Sequence, residues 1–102
     1  MRETVTKTIA ANLFRGIEAV GGHLDICESG LLFRPHGVNF QTQEEFISYE
    51  HVLQVQPCMT WGFIPNGLKV VTQQTSYHFV VWRRKHIAAT IMTQLQKFKE
   101  NL

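Results

Sequence analysis

The residues that could bind a metal in this chain are chiefly its five histidines, and their spacing predicts no metal site. They are His23, His36, His51, His78 and His86. None of them forms the H-x-x-x-H or H-E-x-x-H pattern that places two ligands on one face of a helix. A site would need cysteines or carboxylates from distant strands. We therefore expect no metal and no cofactor.

The nucleophiles and acids are equally sparse. Cys27 and Cys58 lack C-x-x-C spacing, and neither has a base or an oxyanion site in its local pattern. Glu44 and Glu45 are adjacent, so on a strand they would point to opposite faces. The sequence therefore predicts a non-enzymatic protein with no catalytic residue. Two reduced core thiols favour a cytoplasmic location.

Composition narrows the class further. With 102 residues, of which 44% are hydrophobic, the chain fits one domain spanning 1–102. The net charge is only +2, and the strands lack the runs of Lys and Arg that nucleic-acid binding needs. No apolar stretch reaches the length of a signal peptide or a membrane span.

Period-two alternation predicts a meander of seven strands before any helix. In strand one, for example, Val5, Ile9, Ala11 and Leu13 share one face. Gly21 and Gly22 fall in the link to strand two, and Pro65, Asn66 and Gly67 are predicted to reverse the chain before strand six. The predicted strands are Val5–Leu13, His23–Cys27, Leu31–Arg34, Phe46–Tyr49, Val52–Met59, Leu68–Thr72 and Tyr77–Trp82.

The last segment changes period. Ile87, Ile91, Leu95, Phe98 and Leu102 recur at steps of four, four, three and four, with Ala88 and Met92 alongside, which predicts one amphipathic helix over Arg84–Leu102. A helix of this length is marginal alone in water, so its apolar stripe must be buried on the strands. The expected fold is mainly β: a seven-stranded antiparallel barrel or sandwich capped by one C-terminal α-helix.

This order resembles the pleckstrin-homology-like superfold, and several segments resemble the GRAM domain in particular. They are Gly22–Ile26, Gly30–Phe33, Ile47–Tyr49, Ile64–Val70 and Tyr77–Phe79. The resemblance implies a non-enzymatic module that binds membrane lipid headgroups or protein partners. Pleckstrin-like lipid sites carry several Lys and Arg around the first hairpin, whereas this chain offers only Lys7 and Arg15 there.

Strand parity predicts two clusters of cations. Arg15 and Arg34 end strands one and three at the same edge, where with His36 they could hold an anion. Arg83, Arg84 and Lys85 begin the helix, where the macrodipole opposes them, so a role other than helix stability is indicated. In both cases the alternative is that these side chains are simply solvated.

The helix start is also predicted to lie beside the link between strands five and six. Trp61, Phe63 and Ile64 would then adjoin the cations as an anchor or interface, unless they pack in the core. The leading hypothesis is weak peripheral association with anionic lipid. The alternative is a protein-interaction or self-associating module without lipid binding, and a homo-oligomer would strengthen either.

Overall fold

The strands and the helix occupy nearly all of the described chain. The computed structural model describes residues 4–37 and 43–102, so the predicted domain 1–102 includes positions outside that range. The elements are β1 Val5–Arg15, β2 Glu18–Cys27, β3 Gly30–Pro35, β4 Glu45–Ser48, a 3₁₀ turn Tyr49–His51, β5 Val52–Thr60, β6 Ile64–Thr72, β7 Ser76–Val81 and α1 Arg84–Glu100.

All seven strands form one curled antiparallel sheet in the order β4-β3-β2-β1-β7-β6-β5. The strand β1 pairs with β2 along almost its whole length but with β7 only over Ala11–Leu13. That short ladder joins the two halves of the sheet. The predicted fold class, a seven-stranded antiparallel shell with one capping helix, is confirmed.

Helix α1 covers the concave side of the sheet where β4 and β5 fail to pair. Ile87, Ala88 and Ile91 are buried, as the helical spacing predicts. Farther along, the ring of Phe98 packs edge-on against Tyr49, with 5.9 Å between centroids. The Tyr49 hydroxyl donates to the Cys27 carbonyl at 2.8 Å, so this ring is fixed on both sides. The helix therefore completes the core.

Two predicted turns lie inside strands instead. Gly21 and Gly22 lie inside β2, because a Cβ at Gly22 would overlap the Arg34 carbonyl where β3 approaches closely. Pro65, Asn66 and Gly67 lie inside β6, and the reversal occurs at Trp61–Phe63 instead. There Trp61 (φ 54°) and Gly62 (φ 82°) take up the left-handed conformation.

The remaining differences are small. Strand β7 ends at Val81 rather than Trp82, and Tyr49 belongs to the 3₁₀ turn rather than to β4. The helix ends at Glu100, two residues before the predicted end. Leu102, the last residue of the predicted apolar stripe, therefore lies beyond the helix and is exposed, and Met92 is exposed as well.

We predict that Ile91→Ala will lower the free energy of unfolding by about 2–5 kcal/mol, because Ile91 is wholly buried and truncation leaves a cavity. Met92→Ala, one position along on the exposed face, should change it by less than about 0.5 kcal/mol. Urea unfolding measures both. Equal small effects would mean that α1 is not docked as described.

Candidate functional site

One surface of the sheet faces away from the core and carries outward-pointing side chains of β1 and β7. On β1, Ala11 and Leu13 point inward while Ala10, Asn12 and Phe14 alternate outward; on β7, Phe79 and Val81 are inward while His78 and Val80 alternate outward. We call the side that carries the outward residues the outer face.

The chain reverses sharply between β7 and α1 at one edge of this face. Arg83 adopts φ 58° and ψ 53°, and no side chain caps the helix. A non-glycine residue in this region is strained by about 1–3 kcal/mol, so the surrounding contacts must hold it. One such contact is the Arg84 guanidinium, whose Nη1 donates to the Cys58 carbonyl of β5 at 2.6 Å.

The reversal leaves Trp82 standing out from the protein, with 86% of its surface exposed. Arg83, Lys85 and His86 are also exposed beside it. We call these four residues the basic corner. A depression of about 500 Å³ runs along the basic corner against Pro65 and Asn66. Lys7 adds a further positive charge, since its Nζ lies 3.3 Å from His86 Nε2.

No acid neutralises the basic corner among residues 4–37 and 43–102. The one ion pair found there joins Arg34 to Asp25. Arg83 and Lys85 therefore present their full charges to solvent, next to an exposed indole.

The β5–β6 turn supplies a second apolar feature. Trp61 and Phe63 are 73% and 74% exposed, so neither belongs to the core, whereas Ile64 is half-buried at the start of β6. The Trp61 ring folds back over the outer face and meets Phe14 edge-on at 6.3 Å. Ile17, which is fully exposed in the β1–β2 turn, borders a depression of about 400 Å³ with Trp61.

A polar cluster lies between the two tryptophans. Thr60 Oγ1 donates to Asn66 Oδ1 at 2.5 Å and lies 3.0 Å from His78 Nε2. Because the single hydroxyl proton goes to Asn66, His78 is the donor to Thr60. Asn66 borders the groove beside Trp82, while His78 packs on Phe14. The cluster thus ties the β5–β6 turn to the middle of the outer face.

The same cluster does not favour the charged forms of Cys58 and His78. The Cys58 sulfur lies 3.9 Å from His78 Nε2. Burial raises the pKa of the Cys58 thiol, and burial also lowers the pKa of His78. Both shifts favour the neutral forms, opposite to the thiolate–imidazolium pair of an activated cysteine.

Arg15, Arg34 and His36 are predicted to converge, but each of the three has different partners. Arg34 donates twice to Asp25, with Nε to Oδ2 at 2.7 Å and Nη2 to Oδ1 at 2.9 Å. Arg15 Nη2 donates to the Gln43 carbonyl at 2.6 Å. The His36 ring packs edge-on against His23. The charge of Arg34 is therefore already balanced.

Trp82 is the residue that sequence reasoning missed as a site residue. The alternation predicts that Trp82 ends strand seven, and no surface role is predicted for it. The period of two did carry the signal, because His78, Val80 and Trp82 share one parity and Phe79 and Val81 the other. A large aromatic on the outward parity, directly before three cations, is the pattern to look for.

Two further searches of the described residues bear on function. Within 4–37 and 43–102, no group of three His, Cys, Asp or Glu side chains could hold a metal ion. In the same part of the chain, no helix has both the length and the apolar character needed to cross a membrane.

Comparison with solved structures shows the pleckstrin-homology (PH) fold. The chain is similar to the N-terminal PH domain of human ARAP2, with a TM-score of 0.68 and 13% identity over 93% of this chain and 80% of that one. It is also similar to the C-terminal domain of an unknown protein from Leishmania infantum, with a TM-score of 0.78 and 17% identity over 92% and 85%. No family model and no curated protein sequence matches the chain.

We predict that Arg34→Met will lower the free energy of unfolding at pH 7 by about 1–3 kcal/mol, because it leaves the buried Asp25 carboxylate without its main partner. Hydrogen bonding to Arg34 holds the pKa of Asp25 below its usual range. Asp25 therefore contributes stability above about pH 4, and that contribution is lost as the pH falls through its lowered pKa.

The difference between wild type and Arg34→Met should accordingly shrink below about pH 4, as measured by urea unfolding at several pH values. Lys99→Met, which removes an exposed charge near the C-terminal end of α1, is the control and should have little effect on the free energy of unfolding. A difference that stays constant down to pH 2 would contradict the assigned pairing.

Proposed function

We propose that this chain is a non-catalytic binding module that attaches peripherally to anionic membrane surfaces through the basic corner, with Trp61 and Phe63 of the β5–β6 turn as further anchors. The observation that carries the proposal is the basic corner. There, Arg83 and Lys85 have no counter-charge among the described residues and flank the exposed Trp82. The PH fold fits a binding module, and burial raises the pKa of Cys58 and lowers the pKa of His78, which does not favour a charged thiolate–imidazolium pair.

Charge alone gives too little binding. Each Lys or Arg near an anionic surface contributes about 1 kcal/mol, so two cations give about 2 kcal/mol, weaker than millimolar affinity. An aromatic side chain that leaves water buries about 150–250 Å², which at about 25 cal/mol per Å² is worth several kcal/mol before ordering costs. Trp82, with Trp61 and Phe63 as further anchors, would therefore dominate the affinity.

The finer assignments belong to the same proposal. A GRAM-type module of one domain and a cytoplasmic location agree with the sequence resemblance and with the free thiols of Cys27 and Cys58. Arg84 is the member of the cation set with a structural task, since it binds the Cys58 carbonyl. We accordingly assign lipid contact to Arg83 and Lys85 rather than to Arg84, Arg15 or Arg34.

We predict that Arg83→Glu/Lys85→Glu will weaken binding to phosphatidylserine-containing vesicles by at least about 30-fold, because it removes two favourable charges and adds two unfavourable ones. Cosedimentation at low salt measures the change. Lys97→Glu/Lys99→Glu is the matched control: it makes the same charge change on exposed residues at the far end of α1 and should bind like wild type. Equal pelleting of both variants would overturn the proposal.

The second candidate function is protein docking through the apolar side chains. The fully exposed Ile17 and the exposed Trp61 and Phe63 favour it, because contiguous exposed apolar groups mark interaction sites.

Ionic strength separates the two functions. We predict that vesicle binding will fall sharply between low and physiological salt, where the screening length shortens to about 8 Å. Docking through apolar groups should persist. Light scattering on the same samples reports self-association.

A further inference from the structure

The outer face contains a groove that the membrane proposal does not use. Its floor is formed by Ala10, Gly21 and Val80, and its volume is about 430 Å³. Trp82 forms one wall and His36 lies opposite. Asn66, Val81 and Trp82 also border the depression along the basic corner, so the two depressions adjoin each other. We call this the Trp82 groove.

The floor is open because the strands beneath it carry small side chains. Ala10 is exposed, so the floor is open beside Trp82. Toward His36 the floor is narrower, because a Cβ on Gly21 would lie 3.0 Å from Asn12 Oδ1 and 3.5 Å from the His36 ring. A larger residue at position 10 would fill the space beside Trp82. The groove can therefore accept an apolar side chain that lies along the indole face.

Two carboxamides, Asn12 and Asn66, border the groove on different strands. A carboxamide offers both a donor and an acceptor, which matches the two hydrogen-bonding groups of a peptide unit. The Oδ1 of Asn66 already accepts from Thr60, which leaves its amino group to donate to a ligand carbonyl. These are contacts that an extended backbone can satisfy.

Charge specifies the rest of the occupant. Arg83 and Lys85 stand at the Trp82 end of the groove without a counter-charge among the described residues. An acidic segment would be attracted and a basic one repelled. A lipid headgroup supplies the negative charge but has no apolar side chain for the floor and no peptide groups for the asparagines.

We propose that the Trp82 groove binds a short peptide segment of a partner protein, in which acidic residues flank an apolar side chain. The apolar side chain covers Ala10 beside Trp82, the backbone bonds to Asn12 and Asn66, and the acidic residues meet Arg83 and Lys85. This inference goes beyond membrane attachment and stands without it.

NMR titration of the ¹⁵N-labelled protein tests the proposal. The probe is a pool of acetylated heptapeptides with two glutamates on each side of three randomised apolar positions. Because the chain has two tryptophans, the two indole N–H signals separate the surfaces. We expect the Trp82 indole and the Asn12 and Asn66 amides to shift at millimolar peptide, while the Trp61 indole stays unchanged. No shift at Trp82 would overturn the proposal.

Ala10→Leu separates the groove from the membrane site, because it fills the floor and leaves every cation and tryptophan in place. It should weaken peptide binding by at least about tenfold and leave vesicle pelleting unchanged. Ala89→Leu makes the same substitution on an exposed face of α1 and should change neither. If Ala10→Leu binds the peptides like wild type, the groove is not their site.

Three control ligands identify other occupants. A pool with lysine in place of glutamate should give no shift, and one with serine in place of the apolar residues should bind at least about tenfold more weakly. If glycerophosphoserine shifts the Trp82 groove and Ala10→Leu abolishes that shift, the groove takes a headgroup and the peptide proposal is wrong. A dimer seen by light scattering and broken by Ala10→Leu would assign the groove to a second copy and also overturn it.

Discussion

The docking of α1 into the open corner of the sheet is the constraint on which the rest of the structure depends. The edge strands β4 and β5 do not pair with each other. Water would therefore reach the core between them if Ile87, Ile91 and the Tyr49–Phe98 contact did not fill the gap. To reach that corner directly from β7, the chain reverses within two residues. The left-handed turn at Arg83 is the result, and it places the indole of Trp82 in solvent.

Packing therefore fixes the recognition chemistry. Polar groups that lie within the sheet are satisfied: Asp25 by Arg34 and Thr8, and His78 by Thr60. The charges that remain unpaired in the described chain belong to the surface, and Arg83 and Lys85 lie where aromatic rings are also exposed. This arrangement places unpaired positive charge beside exposed apolar surface.

Periodicity predicts most of the fold, because the alternation in β1 and the four-four-three steps of α1 both indicate which faces are buried. The turn propensities of Pro65–Gly67 predicted a reversal there, and that prediction was wrong. Pro65 is typical of the start of a reversal, but it lies inside β6, and Gly67 is required because a Cβ there would lie 2.7 Å from the Cys58 sulfur. The local sequence does not reveal that cross-strand crowding. The partner of Arg34 was hidden for the same reason, because a diagonal pair across β2 and β3 depends on register.

The most direct test is the membrane depth of each indole. Trp61→Phe and Trp82→Phe leave one tryptophan each, and vesicles with lipids brominated near the headgroup quench an indole that enters the interface. We predict that both single-tryptophan proteins will be quenched on anionic vesicles. The protein that retains Trp82 should be quenched more strongly, because Trp82 adjoins Arg83 and Lys85. Quenching of neither protein while both are pelleted with the vesicles would contradict attachment through Trp82 and Trp61.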